Sequence, residues 1–309
     1  MQNILEARHI SKSYATHQAL KNISLNVPEQ TIFGLLGPNG AGKTTFIRII
    51  TQIIGPDSGE VIFRGKKMHR DDIAFVGYMP EERGLYRKMK VGEQVMYFAR
   101  LKGLSKSDAE IAIRHWFTVF DIKDWWNKKV EELSKGMQQK VQFITTVIHK
   151  PPLIILDEPF TGFDPVNTEI IIGEILKLKQ NGSTILLSTH RMESVEALCD
   201  HFTLINNAQI VIEGAVDEVR QRFKTNTFQL EIEGVSPQTD FSSNPDFQVE
   251  KIDKKGEGEF NLYINTDNKY NANQILQHYM QYGQVSSFRE ILPTINDIFI
   301  SLVKEGAHE

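Results

Sequence analysis

Residues 37 to 45 read Gly-Pro-Asn-Gly-Ala-Gly-Lys-Thr-Thr and follow the apolar run Ile32-Phe33-Gly34-Leu35-Leu36. No other stretch restricts the fold as tightly. The run predicts a buried strand, the glycines a tight loop, and the following Phe46-Ile47-Arg48-Ile49-Ile50 the apolar face of a helix. In that setting the loop's backbone N–H groups can converge on a polyphosphate without Cβ clashes, and the helix points its positive end at the anion. Lys43 would reach the terminal phosphates and Thr44 would offer its hydroxyl to Mg²⁺. Gly37, Pro38, Asn39, Gly40, Ala41, Gly42, Lys43, Thr44 and Thr45 are therefore the candidate nucleotide-binding residues. A chance glycine-rich turn would leave the Lys-Thr pair unexplained.

Hydrolysis of a bound triphosphate asks for more: a carboxylate beside the metal and a base to orient water. Leu153-Ile154-Ile155-Leu156-Asp157-Glu158 is a short continuous apolar run ending in two acids. Such a run suits a strand covered on both faces of a parallel sheet, and the acids fall at the carboxyl edge where these sheets bind ligands. Asp157 is the candidate metal partner, through water, and Glu158 the candidate general base. A second run, Thr184-Ile185-Leu186-Leu187-Ser188-Thr189, ends in His190. At the same edge its imidazole could meet the γ-phosphate and the Glu158 region.

Leu133-Ser134-Lys135-Gly136-Met137-Gln138-Gln139 precedes a stripe of Met137, Val141, Ile144 and Ile148, spaced for one helix face, with Ser134 as a plausible N-cap. Read with the loop and the acid pair, this segment resembles the Leu-Ser-Gly-Gly-Gln signature of ATP-binding-cassette (ABC) transporter nucleotide-binding subunits. Tyr14 is similar to the aromatic that stacks on adenine. Thr161-Gly162-Phe163-Asp164-Pro165 resembles the loop that crosses between protomers, with Asp164 its dimer residue, and His190 resembles the switch histidine. The likeness covers roughly residues 1 to 222. It departs in three places. Lys135 replaces a glycine, Met137 replaces a glutamine, and Glu81 stands where the family has a glutamine on the metal side. A carboxylate there can still meet Mg²⁺ or its water, but it cannot donate a hydrogen bond.

The resemblance implies an α/β P-loop cassette over residues 1–224, with a mostly parallel core sheet, an antiparallel β subdomain and a helical subdomain at about 82–133. It implies an ATPase that uses ATP and Mg²⁺, with Glu158 and His190 catalytic and Thr44, Glu81 and Asp157 on the metal. Ser134, Lys135, Gly136 and Met137 would act in trans, on nucleotide held by a second copy or a similar cassette. One loop and one signature per chain require such a pairing. The resemblance further implies an integral membrane permease as partner, received beside the helical subdomain, and a cytoplasmic, peripheral location. Pro80-Glu81-Glu82-Arg83-Gly84-Leu85-Tyr86 resembles the sodium-efflux-type and related exporters, which favours export over import. The three tryptophans, Trp116, Trp125 and Trp126, fall in the helical subdomain, and Trp116 is expected in its core. A soluble ABC-family ATPase acting on ribosome or DNA is the rival reading. Lys43 and Ser134 lie too close in sequence for the long coiled coil typical of that class. The net charge of −4 disfavours nucleic acid as a partner. A single cysteine, Cys199, excludes an internal disulfide.

From 225 to 309 the pattern changes to alternating strands. Phe228, Leu230 and Ile232 form one set, Phe247 and Val249 a second, and Phe260, Leu262 and Ile264 a third. Polar turns such as Ser242-Ser243-Asn244-Pro245 separate them. Helices are expected over 271–282 and 293–304, the latter opened by a Thr294/Asp297 capping box. This predicts a small α+β accessory domain, with His278 and His308 isolated.

Overall fold

The computed structural model describes residues 2–82, 84–236, 238–241, 247–266 and 270–305, with side chains to Leu302. Arg83, the Ser242–Pro245 turn and His308 lie outside them. The chain divides into two compact units, residues 1–216 and 217–309.

The first unit opens with an antiparallel sheet. Strands β1 (Asn3–Tyr14) and β2 (His17–Pro28) pair through a two-residue turn. Next come β3 (Ile32–Leu36), helix α1 (Lys43–Ile50), β4 (Ser58–Phe63) and short β5 (Lys66–Lys67). The antiparallel order is β2-β1-β4-β5. Then follow β6 (Val76–Met79), helices α2 (Val91–Leu101), α3 (Lys106–Val119) and α4 (Lys135–Val147), and β7 (Leu153–Asp157). The unit closes with α5 (Pro165–Gln180), β8 (Thr184–Thr189), α6 (Met192–Leu198), β9 (His201–Asn206) and β10 (Gln209–Ala215). The core sheet runs β10-β9-β3-β8-β7-β6, parallel except for β10.

Every residue of β3, β7 and β8 is buried, which is why their sequences read as unbroken apolar runs. Helix α1 lies between the two sheets. Its Phe46, Ile47, Ile49 and Ile50 share a core with Leu5, Ile10 and Leu25 of the antiparallel sheet and with Leu35, Ile155 and Leu186 of the parallel one. The loop ahead of α1 is thus anchored by a fully packed helix.

Trp116 is buried as expected, stacked on Phe120 and edge-on to Phe143 of α4. Trp125 is half-buried and Trp126 exposed, yet Trp126 closes the subdomain. Its ring covers Gly92, whose N–H donates to the Trp126 carbonyl at 3.1 Å. Of the expected α4 stripe, Val141, Ile144 and Ile148 are buried, whereas Met137 is only half-buried because it sits in the first turn.

The second unit begins within α7 (Val216–Arg222), at Asp217, and holds the sheet β12-β13-β11-β14, antiparallel throughout. Its strands are β11 (Thr227–Glu233), β12 (Gln248–Gly256), β13 (Glu259–Asn265) and β14 (Gln284–Ile291), joined by α8 (Ala272–Tyr279) and followed by α9 (Ile295–Glu305). The division therefore falls ahead of the 224/225 position read from the sequence. Arg220 of α7 donates to the carbonyls of Pro293 and Leu292, and Lys224 pairs with Glu290, so this stretch belongs to the second unit. The expected helix over 271–282 ends earlier, at Tyr279, while its Asn271/Gln274 capping box is formed. The Thr294/Asp297 box is formed as well.

Two glycines in helices should respond oppositely to alanine. A Cβ at Gly92 would run into the Trp126 ring, whereas one at Gly173 of α5 meets nothing within 4 Å. Gly92→Ala should lose about 1–3 kcal/mol by overpacking, and Gly173→Ala should gain about 0.5–1 kcal/mol from helix propensity. Denaturant unfolding of the two variants checks the signs.

Candidate functional site

The register of the parallel strands brings the chemistry to one edge. Leu36 pairs with Thr189, Asp157 with Ser188 and Met79 with Leu156. The residues that follow these positions, namely the 37–45 loop, Glu158, His190 and the Pro80–Glu81 segment, emerge side by side.

The loop needs its glycines. Gly40 and Gly42 have φ of 81° and 112°, and a Cβ at Gly42 would strike the Ala19 carbonyl. Gly37 is equally constrained, because a Cβ there would meet the Ile205 carbonyl oxygen. Gly42 caps α1 in the left-handed conformation. The Lys43 side chain folds back along the loop, and its ammonium donates to Gly37 O at 2.6 Å and Pro38 O at 3.2 Å. It is only 7% exposed. Burial draws its pKa below the usual lysine value, while the charges of Glu158, Asp157 and Glu81 oppose that.

Asp157 is 2% exposed at the end of β7. Burial pushes its carboxyl above the usual range. The Ser188 hydroxyl pulls it back, Glu158 and Glu81 add to the rise, and Lys43 offsets part of it. Glu158 departs from strand geometry, with φ 48°, a left-handed conformation that costs a non-glycine residue about 1–2 kcal/mol. Its N–H donates to Ser188 O at 2.9 Å. The bend turns its carboxylate toward the end of β8. There it accepts from the Thr189 hydroxyl at 3.2 Å and the His190 N–H at 2.9 Å, and it meets His190 Nδ1 at 2.7 Å. The imidazole edge beyond stays half exposed.

A cleft of about 250 Å³ joins these groups. Tyr14, Asn39, Gly40, Gly42, Lys43, Thr44, Thr45, Glu81, Asp157 and Glu158 all line it. Gly37, Pro38 and Ala41 stand behind it as the loop's frame, and His190 reaches it through Glu158. His17 and Ala19 also line the cleft and were not read from the sequence. The two-residue turn after Tyr14, which sets His17 opposite it, is the only signal that could have found His17. Tyr14 is exposed, and its hairpin is pinned by Asp57. That carboxylate takes the Lys12 ammonium at 2.6 Å and the Ser13 N–H at 2.7 Å, and Lys12 Nζ lies 5.8 Å from the Tyr14 ring centre.

Ser134, Lys135, Gly136, Met137 and Asp164 do not line the cleft. The Ser134 hydroxyl caps α4 by accepting from the Met137 N–H at 3.3 Å. Gly136 lies against the Gly162 carbonyl, so the cap and the 161–165 loop adjoin. Asp164 caps α5, accepting from the Asn167 N–H at 2.9 Å, and that bond holds its carboxyl below the usual range.

The donors placed for a metal in the cleft are all oxygen: the Thr44 hydroxyl and the carboxylates of Asp157 and Glu81. That fits Mg²⁺, which takes one or two carboxylates and fills its octahedron with water and phosphate oxygens. Among the described residues no group of three or more His, Cys, Asp or Glu forms an all-protein metal cage.

Comparison with known proteins gives the chain's family and fold. The ABC transporter family model matches residues 20–161, and the model of the C-terminal domain of DrrA1-3-like ATP-binding proteins matches residues 214–303. The chain is 46% identical over 220 residues to the ABC transporter ATP-binding protein YhaQ of Bacillus subtilis (strain 168), covering 71% of this chain and 74% of that protein. It is 40% identical over 269 residues to an ABC transporter ATP-binding protein of Alkalihalophilus pseudofirmus, covering 87% and 98%. The linearmycin resistance ATP-binding protein LnrL of B. subtilis is 30% identical over 237 residues, covering 75% and 76%. A solved ATP-binding subunit of an ABC transporter superposes with a TM-score of 0.67 at 30% identity, covering 71% of this chain and 93% of that one.

Asp157 gives a pH prediction. A carboxyl held above its ordinary pKa in the fold contributes full stability only below that ordinary value, and the contribution is lost as pH rises through the raised one. Ionised Asp157 thus subtracts from stability at neutral pH. Asp157→Asn should raise the Tm of the nucleotide-free chain, by a margin that widens as pH climbs above about 4, the ordinary aspartate value. Thermal unfolding at several pH values measures the margin; a wild type more stable than the variant at neutral pH would contradict the assignment.

Proposed function

The chain belongs to the ABC transporter family as an ATP-binding, ATP-hydrolysing subunit, and from that premise we propose a division of labour among its residues, its pairing with a second cassette and its service to a membrane exporter. The observation that carries the reading is the single cleft that joins an aromatic platform, a phosphate loop and three carboxylates, one of them bonded to a histidine.

Tyr14 stacks on the adenine. The N–H groups of the 37–45 loop and the start of α1 surround the phosphates, and Lys43 exchanges its two loop carbonyls for phosphate oxygens. Thr44, Asp157 and Glu81 would hold Mg²⁺, directly or through water, and the ion would supply charge neutralisation across the phosphates. Glu158 accepts a proton from the attacking water, and its left-handed backbone aims the carboxylate there. His190 fixes that carboxylate through Nδ1 and turns its other edge toward the γ-phosphate. Ser134, Lys135, Gly136 and Met137 present the capped start of α4 to nucleotide held by a second copy or a similar cassette. Asp164 lies beside that surface.

A second cleft, of about 620 Å³, is lined by Tyr86, Arg87, Lys88, Met89 and Tyr97. Tyr86 and Tyr97 are exposed and pack on each other and on Phe98. Exposed aromatics flanked by basic residues suit a short helix of a permease, seated beside the helical subdomain. Among the described residues no helix is long and apolar enough to cross a membrane. A peripheral, cytoplasmic subunit that works through a permease accounts for both observations. Relatives named for linearmycin resistance and lantibiotic transport support export.

Glu158→Gln should cut turnover by about 10²–10⁴-fold, the range for loss of a general base, and should accumulate an ATP-bound dimer. Light scattering that finds only monomer with ATP would sink the pairing. Tyr86→Asp with Tyr97→Asp should leave ATP binding by the isolated chain intact yet abolish co-purification with an integral membrane protein. Retained co-purification would remove the second cleft from the reading.

A further inference from the structure

Helix α4 carries two buried amides that its apolar stripe does not explain. Gln139 is 3% exposed and Gln142 is 4% exposed. A methionine or leucine would fill the same space without burying an amide, so the donors must be serving something. Gln139 Nε2 donates to the carbonyl of Pro159, next in sequence to Glu158, at 3.3 Å. Gln142 Nε2 donates to Pro80 O at 2.8 Å and Glu82 O at 3.4 Å. Those are the carbonyls on either side of Glu81. Gln142 Oε1 is buried without a hydrogen-bond partner, so the amide is held by its donor end alone. The reverse orientation would set Oε1 against two carbonyl oxygens.

The clamped segment has already left the sheet, since β6 ends at Met79. Its far end is held the same way: the Tyr86 N–H donates to Oε1 of the fully buried Gln94 of α2 at 2.6 Å. Two buried glutamines thus hold Pro80 and Glu82 on one side and Tyr86 on the other, with Glu81 facing the nucleotide cleft beside the first.

We propose that Gln142 is a positioning residue for ATP hydrolysis, clamping the carbonyls that flank Glu81 and so making the attitude of α4 decide where the Glu81 carboxylate stands. This rests on the reading of Glu81 as a metal-side carboxylate. The helix whose start, Ser134 to Met137, engages one nucleotide then holds, two turns along, the acid that serves another. Two sites of a pair are linked by a rigid helix and one amide.

The test uses the full chain and two readouts. The first is the rate at which a glutamate-specific protease cuts after Glu81 and Glu82 without nucleotide. The second is the Mg²⁺ concentration that half-saturates binding of a fluorescent, non-hydrolysable ATP analogue. Gln142→Met removes both donors at similar volume. Gln142→Glu keeps the shape and, ionised, has acceptors only. Both should speed that cleavage by roughly fivefold or more, the weight of one lost hydrogen bond, since cutting needs the held segment to open. Both should raise the Mg²⁺ half-saturation by a similar factor while metal-free analogue affinity stays within about twofold. Gln142→Glu should be the worse of the two, because its carboxylate oxygens would face the carbonyls of Pro80 and Glu82. Wild-type values from Gln142→Glu on both readouts would overturn the proposal even if Gln142→Met fails to fold. Glu81→Ala separates the premise. If it leaves Mg²⁺ half-saturation unmoved, the reading of Glu81 falls. If it shifts half-saturation while the Gln142 variants do not, only the clamp falls.

Discussion

One register holds the nucleotide cleft together. The parallel pairings that set Leu36 beside Thr189 and Asp157 beside Ser188 bring the phosphate loop, the acid pair and the histidine to a common edge. Side chains alternate faces along a strand, so a slip of one residue would send Asp157 to the opposite face and leave Glu158 without Thr189 and His190. What prevents the slip is burial on both faces. Every position of β3, β7 and β8 is packed, and α1 is wedged between the two sheets by four large apolar side chains. Precision at the cleft is therefore a property of the core, and the exposed loop inherits it.

Against that rigid edge, the cleft uses backbone strain in a limited place. Glu158 is the residue bent out of line, and three bonds from Thr189 and His190 hold it there. The strain gives direction to the carboxylate, since an extended residue at this position would continue the strand. Asp157, one residue earlier, stays in strand geometry and in the dark interior. Adjacent acids with the same side-chain chemistry thus differ in environment, and the difference suits them to the separate tasks proposed for them.

Much of this was readable in the sequence, for identifiable reasons. Strands covered on both faces must be apolar throughout, so Ile32–Leu36, Leu153–Asp157 and Thr184–Thr189 announced themselves. Glycines with a left-handed φ and no space for a Cβ are hard to replace, and the loop was legible for that reason. Less was visible where a residue's meaning depends on a distant carbonyl. Gln139 and Gln142 are good helix formers that read as ordinary surface positions until the fold brings Pro159 and Pro80 to them. Arg220 looks like the end of the cassette, and only its bonds to Pro293 and Leu292 transfer α7 to the second unit. On β11 the expected alternation is blurred, because Gln229 is buried under Arg289, which donates to it at 2.5 and 2.8 Å.

The Lys43 ammonium resting on its own loop carbonyls carries a consequence for the economy of the cell. The cradle is held in shape by the chain's own contacts, so little reorganisation is needed to receive a phosphate chain. In the proposed reading, most of what it offers, the loop N–H groups and the start of α1, would contact parts that a diphosphate shares with a triphosphate. Spent nucleotide would then be a competitor by construction, and occupancy would follow the ratio of the two nucleotides in the surrounding pool more closely than the amount of either.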